Sequence, residues 1–140
     1  YWENVEAGRL ELKSGVREML TALRAHGWKT GIASSTRAVV VRKEMQHFGL
    51  EQMFDQIIGG DMVQHSKPNP EIYQTACREL GVLPAEAYAV EDSYNGIRSA
   101  AAAGMQAIMI PDLLPPTPEM EQLAAKIFPS MGEFQQFLFG

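Results

Sequence analysis

Apolar positions along the chain switch period several times, and each switch marks an element. Val16, Met19, Leu20 and Leu23 recur at helical spacing behind Ser14, a good N-cap, and His26-Gly27 closes that helix. Trp28 to Ala33 then reads as a short strand and Ser34-Ser35-Thr36 as a loop. Arg37 to His47 is helical by the spacing of Val41, Met45 and Phe48, with Gly49 as its stop, and Phe54 to Ile58 is a second strand ending at Gly59-Gly60. Asp61 to Lys67 is polar loop. Asn69-Pro70-Glu71 combines a cap residue, a first-turn proline and an early acid, so a helix begins there, with Ile72, Ala76 and Leu80 on its apolar face and Gly81 at its end. Ala87 to Val90 is a third strand with Glu91-Asp92-Ser93 at its carboxyl end. Tyr94 to Ala103 is an alanine-rich helix closed by Gly104, and Gln106 to Ile110 is a fourth strand. Pro111 to Pro118 forbids regular structure, Thr117-Pro118 starts another helix, and Ser130 with Glu133 forms a capping box for a last one ending near Leu138.

Short apolar strands alternating with longer helices predict right-handed crossover units, hence a doubly wound, Rossmann-like α/β fold whose parallel sheet is covered on both faces. No internal repeat, low-complexity tract or linker interrupts it. In such sheets ligands bind beyond the carboxyl ends of the strands, which directs attention to the polar loops after Ala33 and Val90.

Composition narrows the partners. The 140 residues suit one domain, and 46% hydrophobic with 21% charged residues excludes a disordered chain. No apolar run approaches the roughly 20 residues of a membrane helix. A net charge of -5 argues against nucleic acid, which demands a basic face, and leaves small polar or anionic metabolites as candidates. The single cysteine, Cys77, excludes an internal disulfide and a cysteine-based zinc site and reads as a small core residue. Tyr1 to Glu6 has neither the basic start nor the apolar centre of a signal peptide, so a cytoplasmic setting is expected.

Three features could carry chemistry. Glu91-Asp92 puts two carboxylates at a strand end, where a hard cation such as Mg2+ offsets their repulsion; a solvated helix N-terminus is the alternative. Lys67 lies in His65-Ser66-Lys67-Pro68-Asn69-Pro70, whose prolines fix the backbone and aim the ammonium, as a phosphate site requires; an exposed turn lysine is the alternative. Ser34-Ser35-Thr36 offers hydroxyls and N–H groups at a strand-to-helix junction, either an anion cradle or ordinary capping. His26, His47 and His65 have no partner at metal-ligand spacing, and the methionines and Phe134, Phe137 and Phe139 read as core.

Taken in order, Ile32-Ala33-Ser34-Ser35, Ser66-Lys67-Pro68-Asn69-Pro70-Glu71 and Val90-Glu91-Asp92-Ser93-Tyr94-Asn95-Gly96-Ile97 with Ala102-Ala103-Gly104-Met105 resemble motifs two, three and four of the haloacid dehalogenase-like hydrolases, and most of all the β-phosphoglucomutase-like phosphatases. The resemblance implies Mg2+-dependent phosphoryl transfer on a small phosphorylated metabolite, a sugar phosphate above all, through an aspartyl-phosphate intermediate. It implies that Ser34 and the N–H of Ser35 bind the phosphoryl group and that Lys67 neutralises it. Asp92 would ligate Mg2+, and Glu91 would do so directly or through water. Thr36 and Arg37 match positions that meet a second substrate phosphate in the sugar-phosphate mutases, so a β-phosphoglucomutase-type isomerase is an alternative, as is a non-catalytic phosphate-binding module.

One motif is missing. The family's nucleophile and its acid/base partner are two aspartates spaced D-x-D on the first core strand, whereas the aspartates here are Asp55, Asp61, Asp92 and Asp112. The chain therefore reads as a truncated piece: residues 1–8 the tail of a helical cap domain, residues 9–140 a partial core. In the family's strand order, 5-4-1-2-3, the absent strand is central, and its removal leaves a slot of roughly 10 Å between the Ile32 and Ala89 strands. The expectation is that a missing N-terminal fragment or a strand-exchanged copy fills the slot, or that the two strands pair directly. The chain alone is expected to be inactive and to bind Mg2+ weakly.

Overall fold

The computed structural model describes residues 15–140; the Ser14 cap and the tail assigned to residues 1–8 lie outside the described residues. Six helices and five strands alternate: α1 (Val16–Ala25), β1 (Gly31–Ala33), α2 (Ala38–His47), β2 (Gln56–Ile58), α3 (Glu71–Leu80), β3 (Tyr88–Glu91), α4 (Tyr94–Ala102), β4 (Gln106–Met109), α5 (Pro118–Leu123), β5 (Lys126–Ile127) and α6 (Met131–Phe139). Caps fall where chemistry supplies them. Thr117 accepts from Met120 N–H, Ser130 from Glu133 N–H and Ser93 from Gly96 N–H. Several details differ from the sequence reading, β5 among them, since no strand was read at Lys126–Ile127. The N-cap position of α1 is Gly15, which has no side chain to offer. Single 3-10 turns lie at Glu51–Met53, Gly60–Met62 and Pro84–Glu86, where no element was read from the sequence. Finally, β1 is three residues rather than six, because its partner β2 starts only at Gln56, opposite Gly31.

All strand pairs are parallel, in two groups: β1 with β2, and β3 with β4 and β5. Side chains alternate between two cores on opposite faces. Ile32, Ile57 and Ile108 point to the face covered by α1, α2 and α6, with Met19, Leu20, Met45 and Phe134. Ile58, Ala89, Ala107 and Met109 point to the other, with Ile72, Ile97 and Met120 from α3, α4 and α5. Each buried Ile, Leu, Met or Phe side chain among them stabilises the fold by about 1.5–3 kcal/mol. The arrangement is the doubly wound α/β architecture, incomplete at its centre.

Direct pairing of β1 with β3, one of the outcomes expected from sequence, does not occur. On one face α3 covers β1 and β2, α4 covers β3 and β4, and α3 touches α4. The facing edges can be read from the ladders. Thr30 C=O accepts from Asp55 N–H and Ser34 N–H donates to Ile58 C=O, so Gly31 and Ala33 turn their backbone groups to the slot. Ala87 C=O accepts from Gln106 N–H and Glu91 C=O from Ile110 N–H, which turns those of Tyr88 and Val90 to it from the other side. Between the edges lies a cavity of about 280 Å3, lined by Leu20, Ile32, Tyr73, Ala76, Ala89 and Phe134 among others. Among the described residues no helix is long and apolar enough to cross a membrane.

Candidate active site

The loop before α3 is braced from several sides. The Glu71 carboxylate accepts from the N–H groups of Gln64 (3.0 Å) and His65 (2.9 Å) and meets His65 Nδ1 at 3.0 Å. The Gln64 N–H first, and His65 after it, hold the Glu71 carboxyl below the usual carboxylate range. Asn69 Oδ1 accepts from Glu71 N–H, and the buried hydroxyl of Ser99 on α4 donates to Asn69 C=O at 2.7 Å. The Lys67–Pro68 peptide is cis.

This bracing turns Lys67 inward, so that its side chain is only 3% exposed. Its Nζ donates to Ala33 C=O at the carboxyl end of β1 (3.1 Å) and to Glu91 Oε2 at the carboxyl end of β3 (2.7 Å). One ammonium thus bridges the ends of the two strands that flank the slot. Tyr73, on the buried face of α3, donates its hydroxyl to the same Oε2 and lies with its ring 5.2 Å beneath Nζ. Glu91 is fully buried, and α4 closes over it at Gly96, where a methyl group would run into the carboxylate. Asp92, the next residue, is 4% exposed.

Ser34 follows Ala33 and is fully buried, its Oγ accepting from Thr36 N–H at 3.1 Å. The hydroxyl proton of Ser34 is thereby left to donate elsewhere. Ser35 is exposed, and Arg37 stands exposed at the N-cap position of α2. Five residues singled out from sequence therefore share one place: Ser34, Ser35, Lys67, Glu91 and Asp92 meet at the carboxyl ends of β1 and β3, while Thr36 and Arg37 run on from it into α2. The sequence reading missed Tyr73 and Gly96. Tyr73 falls on the apolar stripe with Ile72 and Ala76 and reads as core; the one signal was that a buried phenol needs an acceptor.

For a metal the donor set is small. Among the described residues no three His, Cys, Asp or Glu side chains cluster at ligand distance. Asp92 and Glu91 fit a hard cation by chemistry, since carboxylate oxygens are its preferred ligands and water and phosphate can complete its shell. Glu91 Oε2 already accepts from both Lys67 and Tyr73.

A family model of haloacid dehalogenase-like hydrolases matches residues 1–110. Hexitol phosphatase B of Escherichia coli (strain K12) is 34% identical over 100 residues, 71% of this chain and 45% of that enzyme. The crystal structure of a CbbY variant from Rhodobacter sphaeroides in complex with xylulose-1,5-bisphosphate is 34% identical, with a TM-score of 0.79 over 87% of this chain and 55% of that one. A Thermotoga maritima protein crystallised under the name β-phosphoglucomutase is 28% identical, with a TM-score of 0.81 over 89% of this chain and 58% of that one. The chain spans about half the length of the curated relatives it matches. With the fold, three motifs and these likenesses in agreement, the chain belongs to the haloacid dehalogenase-like hydrolases, in their β-phosphoglucomutase-like subgroup.

Proposed function

We propose that this chain forms the phosphate-handling part of a Mg2+-dependent phosphatase acting on a small phosphorylated metabolite. A sugar phosphate is the substrate class favoured by the names of hexitol phosphatase B and of the bisphosphate bound to CbbY. The observation that carries the reading is the placing of Lys67: a buried ammonium held between Glu91 and the C=O of Ala33, the residue that precedes the buried Ser34. Phosphoryl transfer depends mostly on positioning and charge neutralisation, and these groups supply both. The Ser34 hydroxyl and Ser35 N–H donate to phosphoryl oxygens, and Lys67 balances their charge. Asp92, with Glu91 directly or through water, would hold Mg2+, which when bound adds further neutralising charge. A cytoplasmic setting belongs to the same reading, since a single cysteine leaves no internal disulfide.

The chain has no D-x-D, so the nucleophile has to come from elsewhere. The slot points to its source. A strand running parallel to β1 and β3 and pairing with Gly31, Ala33, Tyr88 and Val90 would end beside Lys67, where a carboxylate is needed. A further stretch of polypeptide carrying that motif is the partner that fits; a strand exchanged from a second copy would fill the slot without bringing a D-x-D. The test is release of inorganic phosphate from a panel of hexitol and sugar phosphates with Mg2+. The chain alone is expected to release none, a polypeptide joining a D-x-D strand to it is expected to turn over, and Lys67→Ala is expected to abolish that turnover. Sustained release without a D-x-D, or turnover indifferent to Lys67, overturns the reading. A mutase is the second reading, favoured by the likeness to the protein named as β-phosphoglucomutase and by exposed Arg37 close to the site. Its signature is return of the phosphoryl group to the sugar at a new position.

A further inference from the structure

The loop carrying Ser34 and Ser35 is held by the connection between β2 and α3. Its backbone groups can be followed one by one. Ser34 N–H continues the ladder to Ile58 C=O at 3.0 Å, and Thr36 N–H turns back to Ser34 Oγ. Thr36 C=O accepts from Gly60 N–H at 2.9 Å, and Ala38 N–H, in the first turn of α2, donates to Asp61 Oδ1 at 2.9 Å. Arg37 occupies the N-cap of α2 and makes no side-chain cap bond. Asp61, from the turn after β2, therefore does the capping that a serine or aspartate at position 37 would ordinarily do. Contact is close enough to exclude side chains. A methyl at Gly59 would strike Ala38 N and one at Gly60 would strike the carbonyl of Ser35.

We propose that Asp61 is a positioning residue for phosphate binding: from the connection between β2 and α3 it caps α2 and, with Gly60, fixes the Ser34–Thr36 loop in the shape that receives the anion. This rests on the reading of Ser34 and Ser35 as phosphate donors. It goes beyond it in assigning a role to a carboxylate that never touches the phosphate and whose charge opposes the anion's arrival. Charge and geometry therefore act with opposite sign at Asp61, and two substitutions separate them. Asp61→Asn keeps an Oδ1 acceptor for Ala38 N–H and removes the charge; Asp61→Ala removes both.

The experiment titrates the purified chain and its two variants with inorganic phosphate at fixed ionic strength, following backbone amide shifts of Ser34, Ser35 and Thr36. Hydrogen exchange at the Ala38 amide is measured on the same samples. Asp61→Ala is expected to weaken phosphate binding about fivefold, the effect of one lost hydrogen bond, and to expose the Ala38 amide. Asp61→Asn is expected to bind at least as tightly as the parent and to keep Ala38 protected. Equal tightening in both variants would show a purely electrostatic effect and overturn the proposal, as would unchanged affinity in Asp61→Ala with Ala38 exposed, the outcome of a merely structural cap. No phosphate-dependent shift at Ser34 or Ser35 in the parent chain would overturn the phosphate reading itself, and the positioning role with it. The Ala38 exchange reports the cap in either case, so the two failures are told apart.

Discussion

The two sheets face each other across the slot, and its two ends are closed by different physics. At the carboxyl end the tie is a buried ion pair, Lys67 to Glu91, with side chains 3% and 0% exposed. At the amino end it is a set of rings. Trp28 from the β1 side stacks on Tyr88 of β3 at 5.9 Å, Phe139 of α6 meets Trp28 edge-on at 5.8 Å, and Phe134 meets Tyr88 likewise at 5.6 Å. Trp28 and Tyr88 each remain 37% exposed. The contrast lies in tolerance. A ring contact weakens by degrees as atoms are removed, and water can take the vacated side. A desolvated ion pair fails at once, because removing either partner strands a charge where water cannot reach it. The end that handles charge is thus the end that cannot be altered piecemeal.

The sharpest way to break the comparison is at Lys67. Lys67→Met keeps the length of the side chain and leaves the Glu91 carboxylate buried without its ammonium, so urea unfolding should show a loss of about 3–5 kcal/mol. Adding Glu91→Gln to that variant removes the stranded charge and should restore more than half of the loss. A loss below about 1 kcal/mol, the range of exposed pairs, would mean that the pair is hydrated and the contrast false.

The amino end should respond more gently. Trp28→Ala removes one stacked and one edge contact from a half-exposed ring, and a loss of about 1–2 kcal/mol is expected by the same measurement. Combined with Lys67→Met it sharpens the comparison further, since the two residues sit at opposite ends of the slot. Their effects should add to within about 0.5 kcal/mol. A larger coupling would show that the slot opens as one cooperative unit rather than end by end.

The two ends also differ in how far the sequence disclosed them. Helix limits were readable wherever a glycine had to take positive φ, as at Gly81 (71°) and Gly104 (85°). Strand cores were readable from their apolar residues, whereas β5 was not, because Lys126–Ile127 is too short to show any alternation and exists only through its pairing with Ile108 and Met109. At the site, Ser34, Lys67, Glu91 and Asp92 stood out as polar residues at strand ends. Tyr73 and Asp61 did not. One sits on an apolar helix face and the other in a polar turn, and their roles come from tertiary contacts, to Glu91 and to Ala38 N–H, that no local pattern encodes. The aromatic closure of the amino end was likewise invisible, since Trp28, Tyr88 and Phe139 are far apart along the chain and each fits an ordinary strand or helix.

The smallest expected effect concerns acid, where each end has a carboxylate of its own. Near the amino end Asp55 accepts from Thr30 N–H (2.9 Å) and from Arg24 Nη1 (2.7 Å), and that N–H first, with Arg24 after it, holds its carboxyl below the usual range. Near the carboxyl end Glu71 is held low by the N–H of Gln64 and by His65. For both, the folded pKa lies below the unfolded one. Their stabilisation is therefore complete above the unfolded value, about 4, and is lost as pH falls through the folded value. Both groups are solvent-accessible, so screening keeps the effect modest and salt should reduce it further. Unfolding midpoints measured from pH 6 down to about 2.5 should fall with pH in the parent chain, and the fall should be shallower in Asp55→Asn and in Glu71→Gln. Amide exchange then tells which end yields: protection at Thr30 reports the Asp55 anchor, and protection at Gln64 and His65 reports the Glu71 anchor. Because the loop that Glu71 braces also aims Lys67 into its buried pair, early loss at Gln64 and His65 should be followed by global unfolding, whereas early loss at Thr30 should stay local.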